Sequence, residues 1–330
     1  MAALPTFNPL LTYTTVVDIF GKVYAYQNSV YYDAQGNAWS SLPPSLNGYA
    51  APSLPVGAMT STYTFATLPG SGTLGQTVFV SDVGLAGTSF VWTGTVWEPS
   101  AGIISLAQSA TPYVVAPNAT WNNTTGAFTL GTALPTTYAG AWVYFSGVGV
   151  NSSTGGPAAS GLYWCIFSSA TVGQAYTNST ASTQLTTTAG TMIQTINTNL
   201  NLVTVSVQGG LMGANGSLRV FSSNSTTNSG GTKLLTLLHG GATAGTFYTA
   251  ANSVFGRGLI MLHNRGVASQ LAGPPTGGTS GSQFAGVTTT ILPYYGTVNT
   301  AVTQSCVIAG QIAVATDFIV MESYTFELLK

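Results

Sequence analysis

Asp317, Glu322 and Glu327 are the acids that stand nearest one another along the chain. Hydrolysis of a glycosidic bond needs two carboxyls roughly 5–9.5 Å apart. On an extended strand, Glu322 and Glu327 lie about 17 Å apart on opposite faces, at about 3.3 Å per residue. Asp317 with Glu322 fails in the same way, and Asp82 would have to meet Glu98 across strands. Solvated or interface-facing acids are the expected state. A serine nucleophile on a Gly-x-Ser-x-Gly elbow is missing, and Thr279-Ser280-Gly281-Ser282 has the wrong spacing. His239 and His263 have no Cys or acid at metal-ligand spacing. Gly70-Ser71-Gly72-Thr73-Leu74-Gly75 lies between strands and opens no helix, so it reads as a turn and not as a phosphate cradle. No catalytic residue, metal ligand or cofactor is expected, and the chain reads as a non-enzyme.

Recognition of a surface glycan needs exposed aromatic faces beside hydrogen-bonding side chains. Trp121, within Ala119-Thr120-Trp121-Asn122-Asn123, and Tyr294-Tyr295, between Pro293 and Gly296, sit on expected loops and are the receptor-binding candidates. Cys165 and Cys306 lie inside apolar runs and read as buried free thiols.

Charge limits the partners. Only 4% of residues are Asp, Glu, Lys or Arg, and from Pro99 to Leu218 there is none; ordinary soluble domains carry about 25%. Six basic residues without a cluster give no footprint for nucleic acid or an anionic membrane. No apolar run approaches the roughly 20 residues of a spanning helix. The N-terminus has no basic region or apolar core, so a secretory signal is not expected. A net charge of −1 leaves little repulsion between copies. Packing against copies of itself or against other subunits is the expected state.

The elements that hold these residues are strands and turns. Forty glycines and fifteen prolines punctuate runs rich in Thr, Val, Tyr and Phe. The fold class is all-β: two or three β-sandwich domains in tandem, the last jelly-roll-like. Expected boundaries are 1–100, an N-terminal sandwich for docking; 101–200, an uncharged β-rich region; and 201–330, the jelly-roll-like sandwich. Thr88–Trp92 and Thr95–Trp97, joined through Thr93-Gly94, predict a hairpin. Strands are also expected at Ala141–Phe145, Leu162–Phe167, Lys233–His239 and Thr288–Leu292. Met192–Leu200 is the best helix candidate, weakened by its Thr and Ile. In Asp317–Leu329 the apolar parity switches around Glu322-Ser323, predicting a bulge or a strand covered on both faces.

Trp142-Val143-Tyr144-Phe145, Gly161-Leu162-Tyr163-Trp164 and Phe167–Gly173 resemble segments of tailed-bacteriophage structural proteins, as do Gly213–Arg219 and Ala315-Thr316-Asp317. The first block is similar to small sandwiches of phage head and tail appendages. The resemblance implies a virion component assembled in the bacterial cytoplasm. The resemblance alone does not separate tail fibre, tail-tip part and capsid decoration. Combined with the uncharged β-rich chain, it makes a homotrimeric tail fibre or tail appendage, contacting other virion proteins and a host surface glycan, the preferred expectation. The alternatives are a head decoration that cements the capsid and a glycan depolymerase or esterase.

Overall fold

The computed structural model describes residues 14–17, 23–27, 30–32, 38–39, 62–100, 102–122, 126–146, 156–252, 254–266, 268–272 and 294–330. Among them the regular structure is β-strand, with one 3-10 turn at Phe65–Thr67. The chain forms two compact units, Met1–Thr62 and Tyr63–Lys330.

The first unit holds β1 (Thr14–Val17), β2 (Val23–Gln27), β3 (Val30–Tyr32) and β4 (Ala38–Trp39) in a sheet ordered as the chain runs. Each described neighbour pair in it is antiparallel.

Next along the chain is a four-stranded sheet of β5 (Thr62–Tyr63), β6 (Thr77–Val80), β7 (Thr88–Trp92) and β8 (Trp97–Pro99). The predicted hairpin is β7–β8. Trp92 faces Trp97 in register, with ring centroids 5.4 Å apart, and Gly94 turns the chain at φ +100°, a conformation costly for other residues.

Then come β9 (Ile103–Ser109), β10 (Tyr113–Val115), β11 (Ala119–Trp121), β12 (Ala127–Leu130), β13 (Ala141–Phe145), β14 (Gly161–Phe167), β15 (Val172–Tyr176) and β16 (Gly190–Met192). The C-terminal strands are β17 (Leu200–Val207), β18 (Ser217–Thr226), β19 (Lys233–His239), β20 (Ala242–Ala250), β21 (Phe255–Asn264), β22 (Gln270–Ala272), β23 (Tyr294–Gly296), β24 (Gln304–Ile312) and β25 (Ile319–Leu329). One large sheet runs β16-β11-β12-β15-β14-β13-β10-β25-β18-β21-β22-β23, with β9 also on β25. A second sheet runs β17-β24-β19-β20. β10 and β13 are parallel, and the other described pairs in these sheets are antiparallel.

Two or three sandwiches in tandem were expected; residues 63–330 form one compact unit, and β25 ties it together. Its first residues pair with β10, its later ones with β9, and its other edge takes β18 throughout. Ser223 faces Ser323 and Asn224 faces Met321, so Glu322 is the extra residue of a bulge. Before the bulge both faces are buried: Ile319 and Met321 enter one core, Phe318 and Val320 the other. The parity switch in the sequence records both facts.

The first of these cores is mostly aliphatic; it fills a jelly-roll-like sandwich made by the β17-β24-β19-β20 sheet and the β9-β25-β18-β21 part of the large sheet, and extends to Val78, Val80 and Phe90 of the β5–β8 sheet. The second is aromatic, with Trp121, Phe128, Phe145 and Phe167 nested at centroid distances of 4.8–5.5 Å. The expected helix over Met192–Leu200 is not formed. Met192 ends β16, Leu200 opens β17 and Asn197 has φ +55°, in keeping with the poor helix propensity of Thr, Ile and Asn. The strand expected at Thr288–Leu292 lies outside the described residues.

Candidate recognition face

β18 alternates from Leu218 onward. Leu218, Val220, Ser222 and Asn224 are buried, while Arg219, Phe221 and Ser223 point to the opposite face. β21 does the same, with Ile260 and Leu262 inward and Arg257, Leu259, Met261 and His263 outward. A side-chain period of two therefore builds an outer face across β25, β18 and β21. Its rows follow from the register: Leu329–Ser217–His263, Glu327–Arg219–Met261, Thr325–Phe221–Leu259 and Ser323–Ser223–Arg257.

Polar groups on this face are mutually oriented. Arg219 Nε donates to Glu327 Oε2 at 2.7 Å, and a second guanidinium nitrogen bridges to the same oxygen. Ser217 Oγ and His263 Nδ1 are 2.6 Å apart, and the Ser223 and Ser323 hydroxyls 2.7 Å. The Arg257 guanidinium carbon lies 5.4 Å from the centroid of the Phe255 ring, which is half exposed. Phe221 and Ile103 are also exposed. All three arginines of the chain belong here: Arg219 on β18, Arg257 on β21, and exposed Arg265 in the turn after it. Flat aromatic surface beside guanidinium groups and hydroxyls suits stacking and hydrogen bonding to a partner laid across the strands.

The sequence candidates separate. Tyr295 is 67% exposed on β23, in the row of His263 with one strand between them. Tyr294 precedes it on the same strand, and its side chain lies outside the described residues. Trp121 requires a correction. It ends β11 instead of riding a loop, is 2% exposed, and packs 4.8 Å from Phe145. The alternation Ala119 in, Thr120 out, Trp121 in, on a strand flanked by β12 and β16, aims the indole into the aromatic core.

Solvated or interface-facing acids were expected; Asp82 and Glu98 are exposed, while Asp317 departs from that expectation. Asp317 is buried, and Glu322 accepts a hydrogen bond from the Tyr138 hydroxyl at 2.8 Å. Asp82 caps Phe65 N at 2.7 Å and accepts from Gln208. His239 is buried, and neither ring nitrogen has a hydrogen-bond partner among the described residues. Among those residues no three His, Cys, Asp or Glu side chains gather as metal ligands. Cys165 and Cys306 are buried and free, and burial pushes the Cys306 thiol up to about 12. A cavity of about 370 Å³ beside β9, lined by Phe79, Leu85, Thr88, Ser89 and Ile104 among others, carries no acid or base.

Arg219, Phe221, Phe255 and Arg257 were not among the sequence candidates, and Glu327 was weighed only as one of a pair of carboxyls. Their signal is the outward parity of β18 and β21. It becomes legible only once the inward set is fixed by the facing sheet. Comparison of the chain with models of protein families, with curated proteins and with solved structures gives no match.

Proposed function

We propose that the chain is a non-enzymatic structural subunit of a tailed-bacteriophage virion. It is a tail-fibre or tail-appendage protein, acting as a homotrimer in assembly and host attachment. The observation that carries this reading is the outer face of β25, β18 and β21, where Phe221 and Phe255 stay in solvent beside the chain's arginines. On a chain with 4% charged residues, an exposed apolar patch with so little repulsion around it favours association. The phage-like segments supply the kind of assembly, and the face supplies a surface for a neighbouring subunit or a host glycan.

Sedimentation velocity over a wide concentration range tests the assembly, with a trimer expected. A monodisperse monomer at every concentration would sink the reading. Immunogold labelling of intact particles should decorate the tail, and label confined to the head would replace it with a decoration protein that cements the capsid.

A further inference from the structure

Lys233 opens β19, and Asp317 lies two residues before β25. Their side chains are 0% and 1% exposed. Lys233 Nζ donates to Ser229 O at 3.1 Å and to Ser229 Oγ at 2.9 Å. Ser229 Oγ in turn donates to Asp317 Oδ1 at 2.6 Å. The remaining carboxylate oxygen, Oδ2, is 3.7 Å from Nζ and has no hydrogen-bond partner among the described residues. Gly231 makes the approach feasible, because a Cβ there would collide with Asp317 Oδ2 and Val314.

A fully buried ion pair gains least when its hydrogen bonds are incomplete, since desolvation offsets the attraction. This pair leaves one oxygen unmet and holds a hydroxyl between amine and acid. Burial also pulls the Lys233 pKa below its usual value against the opposing effect of Asp317, which favours the neutral, nucleophilic amine.

We propose that Lys233 Nζ and Asp317 Cγ condense after folding into an intramolecular amide, with Ser229 relaying the proton. One ammonium proton passes through the Ser229 hydroxyl to the carboxylate, leaving a neutral amine and a carboxylic acid. The nitrogen lone pair attacks Cγ. The nitrogen passes a second proton to the hydroxyl oxygen on Cγ, the bond from Cγ to that oxygen breaks, and the oxygen leaves as water carrying both protons. An N–C bond replaces a C–O bond, and no oxidant, reductant or co-reactant enters. The attacking atom is already held near the carboxyl, which is how positioned groups gain rate over free ones. The link would tie the start of β19 to the entry of β25, the strand that serves both cores. That suits a particle protein exposed to proteases and force.

Intact-mass measurement of the denatured, reduced full chain tests the bond. The expected mass is the sequence mass less one water, with a digest yielding a branched peptide that joins Lys233 to Asp317. A full sequence mass, or water loss without that branched peptide, overturns the proposal. Asp317→Ala should restore the full mass; water loss that persists there places the dehydration elsewhere and overturns it too. Ser229→Ala, harvested soon after synthesis, should show a mixture weighted to the unlinked mass. Complete linkage in that variant would refute the relay.

Discussion

Between residues 102 and 200 the chain carries no Asp, Glu, Lys or Arg, and its buried amide network is neutral, although Glu322 of β25 reaches in to accept from Tyr138. Gln194 accepts from Ser146 N at 3.0 Å and donates to Tyr144 O, while Asn118 Oδ1 takes Gln194 N at 2.9 Å. The core beneath is a nest of aromatic rings. Across β25, the sandwich of β17–β25 has an aliphatic core, holds Lys233 and Asp317 in its interior, and puts arginines on its outer face. The two regions share a strand yet differ in what protonation and salt can reach. Rings that interlock leave little reason for ions, because edge-to-face contacts are directional and insensitive to pH. On the sandwich the arginines gather on and beside the outer face of β18 and β21.

The largest expected effect breaks the aromatic side of the comparison. Phe128 touches Trp121, Phe145 and Phe167 at 5.1, 5.2 and 5.5 Å. Phe128→Ala should cost about 3–5 kcal/mol in denaturant unfolding followed by tryptophan fluorescence. A loss under about 1 kcal/mol would mean that the rings do not hold this region together.

Gln194→Leu comes next. It strands the Ser146 N–H, so about 1–3 kcal/mol is expected. The loss should be the same at low and high salt. A strong salt dependence would show that ions act on a region that contains none.

The sandwich should respond to acid. Burial lowers the pKa of His239, which faces Cys306 in the aliphatic core. Below about 6.5 the unfolded chain takes up a proton that the folded ring refuses until lower pH. The unfolded state then binds more protons, so stability falls as pH drops from about 6.5 through the folded pKa. Hydrogen exchange at pH 7 and pH 5 should loosen β19 and β24 before β11–β15. His239→Leu should flatten that difference, and an unchanged acid response in the variant would show that another group is responsible.

Much of this division was readable in the residues. β7, β13 and β19 were predicted at their observed limits, because each is an apolar-rich run with a Gly directly at one end. The bulge at Glu322 was readable because a bulge shifts apolar parity. The fate of Trp121 was not. A three-residue strand is too short to reveal its period in sequence, and one of its two neighbours, β16, comes from distant sequence. The union of 63–330 was hidden for a similar reason. A strand that pairs with β9, β10 and β18 reads locally like any terminal strand. The recognition face was half visible: Tyr295 was singled out, while Arg219 and Phe221 needed the facing sheet to say which side of β18 is buried.

The smallest effect tests whether the surface charges hold the fold. Arg219 and Glu327 are cross-strand partners, each partly open to water. Arg219→Ala should therefore shift stability by only about 0.2–1 kcal/mol, and less in high salt. The same variant should weaken self-association or glycan adhesion well beyond that small change, because the guanidinium stands on the outer face beside Phe221. If unfolding moves by several kcal/mol while association stays constant, the pair belongs to the scaffold. The contrast between a neutral interior and a charged meeting surface would then fail at the residue where it is sharpest.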